Sequence, residues 1–171
     1  GKFASGTSIA SSALGAIVLA EATRRLAEKH NVLVALHTDH CQPEHVDTFL
    51  RPLIAESRRR VERGEAPLFN SHMLDASTLP MAENLKLSRE LLKECAELGI
   101  VLEIEIGVVG GEEDGVVGSG EIADPDECKR IADLGIDFLA AGIGNIHGKY
   151  PENWPGLSFD TLAAVKAKTG D

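Results

Sequence analysis

The sequence Ile100-Val-Leu-Glu-Ile-Glu-Ile106 (IVLEIEI) is a short, β-branched run between two segments of different character. Before it, apolar residues repeat at helical spacing from Leu87 to Leu98, and Gly99 ends that pattern. After it comes a glycine-rich, acidic segment, 107–121, which is predicted to be a loop. A short strand that follows a helical pattern in this way indicates βαβ units around a parallel sheet.

The same alternation extends along the whole chain. The pattern predicts strands at 32–36, 68–74, 100–106 and 138–143, and helices at about 8–29, 43–63, 80–98, 125–134 and 159–168. A (β/α)₈ barrel (TIM barrel) takes eight such units and about 250 residues. The 171 residues, 1–171, are therefore expected to form a single α/β domain, either an open sheet or the central part of a larger barrel.

Composition excludes several classes of protein. The chain has 17 Lys and Arg against 27 Asp and Glu, a net charge of -10, so a nucleic-acid or anionic-membrane partner is not expected. The longest apolar run, Ile9–Ala20, is too short and too often interrupted to span a bilayer. The three cysteines form no CxxC pair, which favours a reducing, cytoplasmic location.

Titratable residues concentrate at the end of each predicted strand, where the following loop begins. In parallel α/β folds the carboxyl ends of the strands form the face that binds ligands. These residues are therefore the candidates for chemistry: His37, Asp39, His40, Asp75, Glu103, Glu105 and His147.

Glu103 and Glu105 point to the same face of the third strand, because side chains alternate along a strand. Buried carboxylates require a cation, a donor or a proton, so this face is either a metal site or a salt-bridged interior. Glu105 together with His40 and His147 offers a His/His/Glu ligand set for a divalent metal such as zinc. His72, inside the second strand, is interpreted as structural.

The segment 107–115 (GVVGGEEDG) lacks the spacing of a dinucleotide fingerprint and the ending of a phosphate-binding loop. Nucleotide binding is therefore not predicted. Two interpretations remain open: a carboxylate on this loop acts as a general base over a substrate, or the loop is a solvated acidic surface.

Four ordered motifs now carry a family resemblance: ALHTDHC (35–41), PLFNSHMLD (67–75), LEIEIGVVGGEEDG (102–115) and GNIHGKY (144–150). Together they resemble the class II, metal-dependent fructose-bisphosphate aldolases. The likeness extends over essentially the whole chain. It implies a (β/α)₈ barrel, of which this chain covers about four central βα units.

The resemblance also implies roles for individual residues. Aldol cleavage needs a metal that stabilises the enolate and groups that move two protons. The resemblance implies that His40 and His147 bind the catalytic Zn²⁺ and that Asp75 and Glu105 lie at a second or alternative metal position. It implies that Asp39 and Glu113 are the acid/base groups. It also implies that Asn145 and Gly148 contact the dihydroxyacetone phosphate moiety. A monovalent cation is also compatible with the resemblance.

The implied reaction is reversible cleavage of fructose 1,6-bisphosphate, a phosphorylated sugar, by a cytoplasmic homo-oligomer, a dimer or a tetramer. Two alternatives remain open. The segment 124–154 is closer in style to the tagatose-bisphosphate branch of the family. A four-stranded sheet with two open edges would instead suit a catalytically inactive module that folds with a partner.

Overall fold

The computed structural model describes residues 11–113, 116–118 and 120–170, and of 112, 113 and 116–118 it describes the backbone alone. In chain order the elements are α1 (Ser11–His30), β1 (His37–Cys41), a 3₁₀ turn (Pro43–His45), a π turn (Val46–Leu50), α2 (Arg51–Glu62), β2 (Ser71–Leu74), α3 (Met81–Ala96), β3 (Val101–Ile106), β4 (Gly110–Glu113), β5 (Val116–Gly118), α4 (Pro125–Ala132), β6 (Phe138–Ala141), β7 (Ile146–His147) and α5 (Phe159–Thr169). These elements form two compact units, one of residues up to Leu74 with Glu90–Leu102, the other of Asp75–Arg89 with the residues from Glu103 onward. The single domain expected over 1–171 stays a prediction.

The first unit contains a parallel pair of strands, β1 and β2. Its core includes Ala13 and Ala20, which lie seven residues apart on one face of α1, where their small side chains allow close packing against Leu53, Leu68 and Phe69. Parallel pairing and a helix-covered apolar core are typical of α/β folds.

The predicted first strand at 32–36 is wrong, because the strand lies one segment later, at His37–Cys41. Leu33 is fully exposed, so the apolar run that suggested a strand does not enter a core. Pairing with β2 fixes the position instead, since Leu36 accepts hydrogen bonds from the Asn70 and Ser71 backbone amides (2.8 and 3.2 Å) and His37 is the first residue in register.

The second unit contains the parallel pair β3 and β6, in register from Glu103 opposite Phe138 to Ile106 opposite Ala141. Its helices begin as predicted from their caps. Asp124 accepts hydrogen bonds from the first amides of α4, and Ser158 caps α5 in the same way. Strands followed by helices along a parallel sheet confirm the predicted α/β class.

The segment 107–121 is not an irregular loop as predicted. It contains the antiparallel pair β4 and β5, and β4 also pairs in parallel with the short strand β7. Glycine and acidic residues have low β-propensity, so the strands depend on pairing rather than on local preference.

None of the helices in the described residues combines the length and the apolar character that crossing a membrane requires.

Candidate functional site

Asp39 and His40 lie side by side near the end of β1. His40 Nε2 is 3.8 Å from Asp39 Oδ1, and the Asp39 side chain is 72% exposed whereas that of His40 is 21% exposed. The carboxylate is therefore open to a substrate, while the imidazole is partly enclosed beside it.

The backbone at this point departs from a regular strand. The β1–β2 register shifts between Thr38 and Cys41, so that β1 has one residue more than β2 over the same distance. His40 has a positive φ of 26°, a conformation that non-glycine residues rarely adopt. Such strain is found where the surrounding structure enforces a functional geometry.

Asp75 and Glu105, in the second unit, form a carboxylate pair. Each offers an oxygen within 4.8 Å of the other. Asp75 follows β2 directly, and its Oδ1 accepts hydrogen bonds from the backbone amide of Ser77 (3.3 Å) and from its hydroxyl (2.6 Å). Sequence reasoning missed Ser77, although an Asp two residues before a Ser is a signal for this kind of turn.

Glu105 is 2% exposed, the deepest carboxylate among the candidate residues. Its Oε1 accepts a hydrogen bond from the Val109 amide at 3.4 Å. Taking a carboxylate out of water is costly, and a bound cation is one of the groups that offset that cost.

His147 lies in β7, within a turn that side chains tie together. The Trp154 Nε1 donates to the Gly144 carbonyl at 2.8 Å, and the Tyr150 hydroxyl accepts from the Ile146 amide at 3.4 Å. The two rings meet edge to face with centroids 4.3 Å apart. These contacts join the backbone just before His147 to two side chains that follow it in the sequence.

Asn145 and Gly148, the predicted substrate contacts, flank the same histidine. Asn145 Oδ1 accepts a hydrogen bond from the Ile143 amide at 3.0 Å, so this side chain closes the turn. Gly148 has a φ of 77°, which glycine adopts without strain. A binding role for both residues stays a prediction.

The backbone of Glu113 ends β4, opposite Val116 in the antiparallel pair. Its side chain lies outside the described part of the chain. Its predicted role as an acid/base group therefore stays a prediction.

His72, interpreted from the sequence as structural, is the most perturbed titratable group near β1. Burial, followed by the charge of the neighbouring His37, lowers its pKa to about 3. The side chain is therefore a neutral imidazole in the folded protein at neutral pH.

The family model described as Fructose-bisphosphate aldolase class-II matches residues 3–169. This chain belongs to the class II fructose-bisphosphate aldolase family. The resemblance predicted from the four motifs is confirmed.

Individual relatives agree with the family match. The fructose-bisphosphate aldolase of Mycobacterium leprae is 46% identical to this chain, and the match covers 95% of this chain and 50% of that protein. The fructose-bisphosphate aldolase of Corynebacterium glutamicum is 45% identical, and the match covers 87% of this chain and 46% of that protein. The crystal structure of the fructose-bisphosphate aldolase of Campylobacter jejuni has a TM-score of 0.72 at 33% identity, covering 91% of this chain and 47% of that one. The chain thus spans about half the length of the curated relatives that it matches.

Class II aldolases are metal-dependent, and the described residues include donors suited to a divalent ion. They are the imidazole of His40 in the first unit and the carboxylates of Asp75 and Glu105 in the second. Metal–oxygen bonds of about 2.0–2.6 Å allow two ligand oxygens to lie up to about 5 Å apart, so the spacing of Asp75 and Glu105 fits a shared ion. The donor set therefore fits the metal dependence of the family.

Proposed function

We propose that the whole protein catalyses the reversible, zinc-dependent cleavage of fructose 1,6-bisphosphate to dihydroxyacetone phosphate and glyceraldehyde 3-phosphate. The observation that carries the proposal is the family match over residues 3–169, together with relatives named as fructose-bisphosphate aldolases. Two structural features also support it: the exposed Asp39 beside His40, and the carboxylate pair of Asp75 and Glu105.

In this proposal His40 and His147 bind the catalytic zinc ion, and Asp75 and Glu105 bind at a second or alternative metal position. Imidazole and carboxylate together favour zinc over magnesium, which prefers oxygen ligands alone. When bound, the metal supplies a positive charge that stabilises the enolate of the ketone half.

Two carboxylates handle the protons. Asp39 removes the proton from the hydroxyl group on the carbon that becomes the aldehyde, and the bond between this carbon and its ketone-side neighbour breaks. The electron pair of that bond stays on the ketone half, where Glu113 delivers a proton to the carbon. The high exposure of Asp39 suits a group that must meet a substrate hydroxyl.

Binding of the dihydroxyacetone phosphate half is assigned to Asn145 and Gly148, which flank His147 on the turn that Trp154 and Tyr150 secure. A glycine at 148 leaves its backbone amide open to close approach by an oxyanion. We further assign the protein to the cytoplasm as a homo-oligomer, a dimer or a tetramer, and light scattering of the purified protein measures that state.

The test measures metal content and cleavage on the same samples. We expect bound zinc, loss of cleavage on chelation and recovery on adding zinc back. His40→Ala should lose zinc and activity, whereas His45→Ala, an exposed histidine of the 3₁₀ turn, should keep both.

Fructose and tagatose 1,6-bisphosphates are assayed in parallel. A strong preference for the tagatose epimer would overturn the substrate assignment and keep the reaction type. A folded, zinc-saturated protein that cleaves neither sugar would contradict the enzyme proposal and favour an inactive module.

A further inference from the structure

His72 occupies a place that packing alone does not explain. Its side chain is fully buried, and its ring lies against Phe69 with centroids 5.2 Å apart. Among the described residues, Nε2 has no hydrogen-bond partner. A buried polar atom without a partner destabilises a fold, so an apolar ring would suit this core better.

The other ring nitrogen of His72 makes one bond, across to β1. Nδ1 lies 2.8 Å from the Thr38 hydroxyl oxygen, and both side chains are buried. Thr38 and His72 are also the last regular register pair before the shift that ends at Cys41 opposite Leu74. The bond therefore ties β1 to β2 at the point where the extra residue begins.

The segment that follows this tie contains Asp39 and His40, with His40 at a positive φ of 26°. An extra residue in one strand re-aims the side chains beside it. If the extra residue were absent, the register would shift by one residue and those side chains would move to the opposite face of the strand. Neighbouring side chains in a strand point to opposite sides.

We propose that His72, acting through the Thr38 hydroxyl, is a positioning residue that holds the irregular end of β1 in the conformation presenting Asp39 and His40. The inference rests on the proposed function for its activity readout. Its structural readout is independent of that function.

The experiment compares variants at this tie with a matched control one position earlier. Thr38→Val removes the hydroxyl and keeps the shape, Thr38→Ser keeps the hydroxyl, and His72→Phe removes the ring nitrogen that bonds to it. Ser71→Ala is the control, because it removes the neighbouring cross-strand bond from Ser71 Oγ to His37 Nδ1 (2.8 Å).

The first readout is amide hydrogen exchange of residues 38–41 in the metal-free protein. We expect faster exchange in Thr38→Val and His72→Phe, and exchange near the wild-type rate in Thr38→Ser and Ser71→Ala. Equal exchange in Thr38→Val and the wild type would overturn the proposal.

The second readout is zinc affinity, measured by competition with a chromophoric chelator, beside kcat and KM. Positioning groups behind metal ligands typically change affinity or activity by about 10- to 100-fold, and we expect losses of that order for Thr38→Val and His72→Phe, with Thr38→Ser restoring both. Faster exchange with unchanged zinc affinity would also overturn the proposal. A wild type that binds zinc and does not cleave sugar would contradict the proposed function alone.

Discussion

His40 Nε2 lies 3.8 Å from the Oδ1 of its sequence neighbour Asp39, although adjacent residues of a regular strand point to opposite faces. The positive φ of His40 and the register shift of β1 bring the two side chains to the same side. The group proposed to move a proton and the group proposed to bind the metal are thereby placed together. The same backbone irregularity serves both proposed roles.

Replacing Glu105 by Gln removes one of the two charges of the carboxylate pair with little change of shape. We expect divalent-metal affinity to fall by at least the roughly 10- to 100-fold that loss of a group behind a metal ligand causes, because the neutral amide is a weaker ligand than a carboxylate. The metal-free protein should be as stable as the wild type or more so, since a buried charge has been removed. Calorimetric metal titration and thermal unfolding measure the two effects.

Glu103→Gln is the matched control, because Glu103 lies two residues earlier on the same face of β3 and is half-buried. Its metal affinity should change less than that of Glu105→Gln. Equal losses in the two variants would contradict the assignment of Glu105.

Gly111 allows β4 to approach β7 at His147. The two residues are in register, φ at Gly111 is 92°, and a Cβ there would overlap the carbonyl oxygen of His147. Gly111→Ala should therefore separate the strands and speed amide exchange at 145–148. Its loss of stability should exceed the cost of backbone strain alone, which is about 1–2 kcal/mol.

Gly135→Ala provides the comparison for that strain. Gly135 has a similar φ of 80°, but nothing lies within 4 Å of the added Cβ. Its stability loss should be about 1–2 kcal/mol, with normal exchange at 145–148. Normal exchange at 145–148 in Gly111→Ala would show that the close approach does not hold His147.

Acid should destabilise the protein through His72. Burial lowers the pKa of His72 to about 3, so between pH 6.5 and about 3 the unfolded chain binds a proton there that the folded chain does not. The free energy of unfolding therefore decreases as pH falls through this window, by up to about 1.4 kcal/mol per pH unit. Urea unfolding of the wild type and of His72→Phe at pH 7 and pH 5 isolates this contribution. An identical pH dependence in the two proteins would rule it out.

Sequence patterns predicted the parts of the fold that local chemistry determines. Asp124 and Ser158 cap their helices as expected, because a cap depends on residues within one turn. The position of β1 was predicted wrongly because it depends on pairing with β2, which lies more than thirty residues away. The β4–β5 hairpin was missed for the same reason, since long-range pairing with β7 outweighs weak local propensity.

In the candidate site, too, the sequence predicts some features, whereas others depend on contacts between distant residues. Asp39 and His40 are adjacent in the sequence, and Asp75 and Glu105 follow from the rule that strand ends share an edge. The Thr38–His72 bond was not predicted, because a histidine inside a strand carries no sign of its cross-strand partner. The positive φ of His40 likewise has no signal in residue type.

The most direct test is the rate of fructose 1,6-bisphosphate cleavage by the wild type and by Asp39→Asn, with zinc measured in both samples. We predict equal zinc content and a rate lower by about 10²- to 10⁴-fold in the variant, the usual contribution of a general acid/base group. Cleavage by Asp39→Asn at the wild-type rate, or full wild-type activity after zinc has been removed, would contradict the account.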